Sequence, residues 1–204
     1  MSKVLVIDYG MGNLGSVRRA LEECGAEVLV SDDPADCRWA DHLVLPGVGA
    51  FADGMAALTE SGWVDAVRAA AAGGVPVLGI CLGMQLLAEK GMEGGEVAGL
   101  GLIPGEVVRL TPDSAETRIP HVGWNEVHQA ASHPLLDGIA RGTDFYFVHS
   151  YHFVPASRDD AIACTPYCGS FVSVAAAGNV FGTQFHPEKS SRAGFQLLRN
   201  FLEW

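Results

Sequence analysis

The rhythm of apolar and polar positions changes about halfway along the chain. In the first half, short apolar runs alternate with stretches where apolar residues recur every three or four positions. Lys3–Asp8 (KVLVID) is the first run, bounded by Gly10. Gly12–Cys24 then carries Leu14, Val17, Leu21 and Cys24 at helical spacing, and Gly25 stops it. Glu27–Val30 predicts a second strand, and His42–Leu45 a third that stops at Pro46. One helix is predicted from Gly54 to Ala72, ending in Gly73-Gly74. Val75–Ile80 (VPVLGI) reads as the fourth strand, with a helix over Leu82–Glu89. Strands that alternate with helices predict an α/β fold with a doubly wound, mostly parallel sheet covered on both faces.

In the second half the runs shorten and turn residues separate them: Val107–Leu110, Asn125–His128, Asp144–Val148, Tyr151–Val154, Ala161–Cys164, Phe171–Ala175 and Val180–Phe185. They predict antiparallel strands added to the sheet. Ser191–Trp204 closes the chain as an amphipathic helix with Phe195, Leu198, Phe201 and Leu202 inward. No repeat, low-complexity tract or linker divides the chain, so residues 1–204 are expected to form one domain.

Composition narrows the possible functions. The 13 Lys+Arg against 24 Asp+Glu leave a net charge of −11, which repels phosphate backbones and argues against a general nucleic-acid binder. No apolar run is long enough to span a bilayer, and Met1-Ser2-Lys3-Val4 lacks a signal-peptide layout, so a cytoplasmic protein is expected. The five cysteines, Cys24, Cys37, Cys81, Cys164 and Cys168, are odd in number and widely spread, which argues against a disulfide framework.

Gly10-Met-Gly12-Asn-Leu-Gly15 follows the first strand and matches the dinucleotide pattern G-x-G-x-x-G, with Asp32 and Asp33 near the end of the second strand. A tight strand-to-helix turn that needs glycine is the simpler reading, with NAD binding as the alternative.

Gly79-Ile80-Cys81-Leu82-Gly83 is more specific. It follows a strand, opens a helix, and has the nucleophile-elbow layout with Cys in place of Ser. The nucleophile sits on a sharp turn, so its neighbours must be small. The helix amides favour the thiolate, and the Leu82 amide is placed for an oxyanion. Of seven histidines, His186 stands out as the base. It ends a predicted strand, Pro187 keeps it out of helical geometry, and Glu188 lies two residues on to fix its tautomer. His42 reads as structural, His128 and His133 as solvated, and His121, His149 and His152 as ambiguous. Cys164 and Cys168 lack the second ligand pair a metal site needs and read as packed thiols; no metal is expected.

Gly79-Ile-Cys-Leu-Gly-Met-Gln85 together with Phe185-His-Pro-Glu188 resembles the class I, triad-type glutamine amidotransferases, and Pro46-Gly-Val-Gly-Ala-Phe51 is similar to their oxyanion loop. Gly99–Gly105, His121-Val-Gly-Trp-Asn125, Tyr146–Tyr151 and His186–Ser190 narrow the resemblance to the glutaminase subunits of imidazole glycerol phosphate synthases, over essentially the whole chain. The resemblance implies Cys81, His186 and Glu188 as the catalytic triad, with Leu82, Val48 and Gly49 around the oxyanion. Gly49, Gln85, His149, Ser150 and Tyr151 would contact glutamine. It also implies no cofactor, and a (β/α)8-barrel cyclase as a separate partner that takes the ammonia into histidine biosynthesis. Asn13, Trp124, Asn125 and Lys189 are the implied interface residues. The end of the chain at Trp204 fits an acceptor site on another polypeptide. Three further readings are weighed beside this one: a glutaminase of another synthase, such as the pyridoxal phosphate pathway; a dinucleotide module on Gly10–Gly15; and a non-catalytic partner protein of the same fold.

Overall fold

The first strand is apolar because it is buried on both sides. In the computed structural model, which describes residues 1–204, β1 (Lys3–Ile7) turns Val4 and Val6 into one core and Leu5 and Ile7 into the other. After β1 come α1 (Leu14–Glu23), β2 (Glu27–Ser31), β3 (His42–Gly47), α2 (Phe51–Glu60), α3 (Trp63–Ala72), β4 (Val77–Cys81) and α4 (Leu82–Leu86). The second half adds β5 (Lys90–Gly91), β6 (Val97–Ala98), β7 (Gly105–Arg109), β8 (His121–Gln129), β9 (Thr143–His149) and β10 (Tyr151–Pro155). The chain ends with β11 (Ala161–Thr165), β12 (Phe171–Ala177), β13 (Val180–Thr183) and α5 (Ser191–Leu202).

Nine strands form one sheet in the order β2-β1-β3-β4-β13-β12-β11-β8-β9. The pairs from β2 through β13 are parallel, and those from β13 to β9 are antiparallel. This is the mixed α/β sheet the alternating pattern predicts. One face packs against Val17 and Leu21 of α1 and Leu197, Leu198 and Phe201 of α5. The other packs against Met55, Leu58, Trp63 and Val67 of α2 and α3, together with α4. Each such side chain, fully buried, contributes on the order of 2 kcal/mol through the apolar area it removes from water.

Several elements differ from expectation, each for a physical reason. The helix over Gly54–Ala72 is two helices, because Gly62 takes φ 77° and turns the chain between them. The third strand runs through Pro46 to Gly47. Its pairing with β1 ends at Val6–Val44, so only β4 flanks Pro46, which faces Ile80, and the missing N–H interrupts no pairing with β1. The helix expected to reach Glu89 ends at Leu86, because backbone amides of Leu100–Ile103 take the carbonyls of Leu86, Leu87 and Ala88. β7 and β10 do not join the large sheet. They pair with each other in a four-stranded sheet, β10-β7-β5-β6, whose Val107 and Phe153 close the core beside α4. In α5, Leu197 is buried, whereas Phe195 and Leu202 are only partly covered.

The turn from β4 to α4 positions the site. Cys81 ends β4 with φ 55° and ψ −110°, a backbone conformation that β-carbon-bearing residues rarely adopt. The chain doubles back so tightly that a β-carbon on Gly79 would stand 2.6–2.7 Å from the Gly83 carbonyl and the Met84 nitrogen. One on Gly83 would overlap the Leu45 carbonyl oxygen of β3. We expect Gly83→Ala to destabilise the protein by about 3 kcal/mol or more. Urea unfolding of the variant checks this, and a loss within about 0.5 kcal/mol would show that β3 can yield.

Candidate active site

The parallel register brings the chemistry together. Cys81 lies opposite Gly47, so the Gly47–Gly49 loop begins beside the elbow. β13 runs along the other side of β4 and stops at Thr183, two residues earlier than expected. The Gln184 amide still donates to Ser173 of β12, but that of His186 donates to the Tyr146 carbonyl of β9. The chain thus leaves β4 and presents His186 near Cys81. Ser190 locks this loop in place: its hydroxyl donates to the His186 carbonyl at 2.6 Å and accepts the Tyr146 amide at 3.0 Å.

His186 has extended backbone angles (φ −97°, ψ 96°) before Pro187, and its Nδ1–H donates to Glu188 Oε1 at 2.9 Å. The two side chains are almost fully buried. Burial alone opposes an imidazolium here. The Cys81 sulfur and the Glu188 carboxylate beside the ring outweigh it and push the His186 pKa up to about 9. Nε2 has no completed hydrogen bond, so the base faces the sulfur with that nitrogen uncommitted. The Cys81 S–H donates to the Val148 carbonyl, and the sulfur accepts from Gln184 Nε2, each at 3.8 Å.

A cleft of about 340 Å³ opens over Cys81. Val48, Gly49, Leu82, Gln85, His149, Ser150 and Tyr151 line it, all of them expected site residues. Gln85 Nε2 donates to the Tyr151 carbonyl at 2.9 Å and to Gln184 Oε1 at 3.0 Å, which leaves its own Oε1 uncommitted. The His149 ring is not free for a ligand. Nδ1 bonds the Tyr151 carbonyl at 2.8 Å and Nε2 meets His121 Nδ1 at 3.0 Å, so His149 meets the cleft with its ring already engaged.

Glu93 also lines the cleft, and sequence reasoning missed it. It lies in the turn Met92-Glu93-Gly94-Gly95, which reads as solvated loop. In the fold its Oε2 accepts the Phe51 amide at 2.8 Å, the start of α2 where Ala50 offers no capping side chain. It is the one charged side chain lining the cleft.

The chain belongs to the class I glutamine amidotransferases. The family profile, glutamine amidotransferase class-I, matches residues 5–204. Imidazole glycerol phosphate synthase subunit HisH of Moorella thermoacetica is 52% identical over 203 residues, covering 100% of this chain and 95% of that one. The protein of the same name from Chromobacterium violaceum is 49% identical, covering 99% and 98%. A chain of PurLQS from Thermotoga maritima shares the fold with a TM-score of 0.77 at 21% identity, covering 100% of this chain and 99% of that one.

Against this family fold, the Gly10–Gly15 turn lacks the packing a dinucleotide site needs. Gly15 is exposed with no atom within 4 Å of a β-carbon added there, so no close helix–strand approach is made at it. No group of three His, Cys, Asp or Glu side chains is arranged to hold a metal ion, and no helix is long and apolar enough to cross a membrane. The expected interface residues divide. Asn13 is exposed and caps α1 without using its side chain. Trp124 is 52% exposed, and Lys189 lies over the Tyr146 ring. Asn125 instead turns inward, with Nδ2 at 3.1 Å from His121 Nε2.

Burial sets the protonation of five other histidines. It lowers His121 to about 4 and His149 to about 3, and also lowers His42, His133 and His152. A lowered folded-state pKa means the unfolded chain binds the proton more tightly, so these groups favour the fold above pH 6.5 and that contribution is lost as pH falls toward their folded values. His186 works oppositely: its contribution is complete below 6.5 and lost as pH rises through about 9. The five outweigh the one on the acid side. The urea midpoint should therefore fall between pH 7 and pH 5, with proton uptake on unfolding; a constant or rising midpoint contradicts this.

Proposed function

We propose that the chain is the glutaminase subunit of an imidazole glycerol phosphate synthase. Residues 1–204 act as one glutamine amidotransferase domain in the cytoplasm, and the ammonia goes to a separate (β/α)8-barrel cyclase in histidine biosynthesis. The observation that carries the reading is the elbow cysteine, which lines the cleft, backed by an imidazole with an uncommitted nitrogen and a buried carboxylate behind it.

In the reaction, the Cys81 thiolate attacks the carboxamide carbon of glutamine. The amide of Leu82 and those of the Val48–Gly49 segment stabilise the oxyanion. His186 delivers its proton to the departing ammonia, leaving a thioester on Cys81. It then takes a proton from water, which hydrolyses the thioester to glutamate. Glu188 holds Nδ1, so that Nε2 is the nitrogen that works. Glu93 and the free Oε1 of Gln85 suit the α-ammonium of the substrate, and Ser150 and Tyr151 border the rest of it.

The outer face of β8 and β9 supports partner docking. Val122 and Trp124 are more than half exposed, Val148 is exposed beside Val122, and Trp124 meets Tyr146 edge-on. Such a cluster of exposed apolar side chains on one sheet face fits a protein interface with Trp124 as anchor and Lys189 at the rim. Asn13 adds an uncommitted amide on the surface.

Cys81→Ala is expected to abolish glutamine-dependent synthesis in the complex while synthesis from added ammonium continues. Loss of both would point to misfolding instead. Glutamine hydrolysis should rise when the cyclase and its nucleotide are added, and no stimulation overturns the assignment to this synthase. Glu93→Gln should raise KM for glutamine by about tenfold or more with a smaller change in kcat. An unchanged KM removes Glu93 from the substrate site.

A further inference from the structure

Beneath the cleft runs a line of polar side chains, most of them buried; apart from the free Oε1 of Gln85, the mechanism above does not use them. It starts at Asn125 on β8, passes through His121 and His149, and reaches the Tyr151 carbonyl. Gln85 donates to the same carbonyl and to Gln184, and Gln184 donates to the Cys81 sulfur. His121, His149, Gln85 and Gln184 are all buried. His121 is stacked between Tyr167 and Phe147, with ring centroids at 4.0 and 4.9 Å, and His149 packs edge-on against Phe171.

Each proton on this line is fixed by elimination. The Tyr151 carbonyl can only accept, so His149 Nδ1 carries a proton and donates. Asn125 Oδ1 is occupied by the Glu126 amide at 2.9 Å, so the Asn125 group facing His121 is the NH2, and His121 Nε2 must accept. A neutral His121 then holds its proton on Nδ1 and donates it to His149 Nε2. The reverse sense would place an N–H of His121 against the N–H of Asn125. Burial, which lowers the proton affinity of both rings, agrees with this assignment.

We propose that His121 and His149 are positioning residues for glutamine hydrolysis: with their single ring protons on Nδ1 they form a one-way hydrogen-bond chain that fixes the Tyr151 carbonyl, and through it Gln85, Gln184 and the Cys81 thiol. Neither ring touches the reacting atoms. The chain acts because the Tyr151 carbonyl receives two donors; without His149 only the Gln85 side chain holds that carbonyl, which can then shift and draw Gln85 away from Gln184. Gln184 is the last link and holds the sulfur opposite the Val148 carbonyl. The proposal rests on the reading of Cys81 as the nucleophile.

The test has two arms. In the 15N-labelled protein at pH 7, the His121 and His149 rings, assigned with His121→Phe and His149→Phe, should each show a protonated Nδ1 and a bare Nε2. A proton on Nε2 of either ring overturns the proposal. In the synthase complex, His121→Phe keeps the ring stack and removes the donor. It should lower kcat for glutamine by about tenfold or more while KM changes little. His121→Gln keeps a donor and should recover most of that rate. An unchanged kcat in His121→Phe, or equal losses in the Phe and Gln variants, overturns the positioning role. If His121→Phe does not fold, the two rings are assigned by their through-space contacts, His121 to Tyr167 and His149 to Phe171, and the nitrogen shifts together with the His121→Gln rate decide. Hydrolysis that survives Cys81→Ala would instead sink the nucleophile reading and leave the tautomer pattern standing.

Discussion

The whole site hangs on one close approach of main chain to main chain, where the turn after β4 presses against β3. Gly83 sits where any side chain would overlap the Leu45 carbonyl, and Gly79 folds back on Gly83 and Met84. That contact holds Cys81 at φ 55° and turns its sulfur toward the cleft. Because β3, β4 and β13 are adjacent and parallel, their carboxyl ends lie on one edge of the sheet. The glycine loop, the nucleophile and the histidine loop then follow from register alone.

Around this edge most buried polar groups are paired, with a few exceptions. His186 Nε2, Glu188 Oε2 and the Tyr9 hydroxyl are buried without partners. The Tyr9 hydroxyl lies over Gly47, and its pKa is raised by burial and then by Cys81. Unpaired buried groups cost stability, typically about 1–3 kcal/mol each. Two of these three belong to the His186–Glu188 pair itself, where an uncommitted nitrogen serves the chemistry at the expense of packing. The carboxylate of Glu188 and the clasp at Ser190 leave the imidazole one orientation, so the strain of the site is borne by a rigid frame.

Much of this could be read from residues in order. The elbow was legible because its glycines are adjacent in sequence to the group they serve. The same holds for His186, Pro187 and Glu188, which interact within three positions. Alternation of strands and helices gave the parallel half of the sheet, since each unit is local. What stayed hidden depends on distant segments. Glu93 looks like a solvated loop residue until α2 supplies the amide it caps. The partnership of His121 with His149 spans 28 positions and arises only because β8 and β9 pair in that register. β7 and β10 have the composition of added strands, and nothing in either says they pair with each other rather than with the large sheet. Asn125 follows Trp124, yet strand alternation sends one inward and the other outward.

The close approach at Gly83 also has a meaning for descent. At Gly91 a new side chain would meet the ring of Phe51 at 2.5–2.7 Å, and a second substitution that trims Phe51 reopens the space. At Gly83 the obstacle is the Leu45 carbonyl, which belongs to the backbone and is the same whatever residue stands there. No compensating change of side chain relieves it. A lineage can therefore wander at Gly91 by paired steps and return, whereas Gly83 admits no neutral path and anchors the alignment of every descendant that keeps this turn.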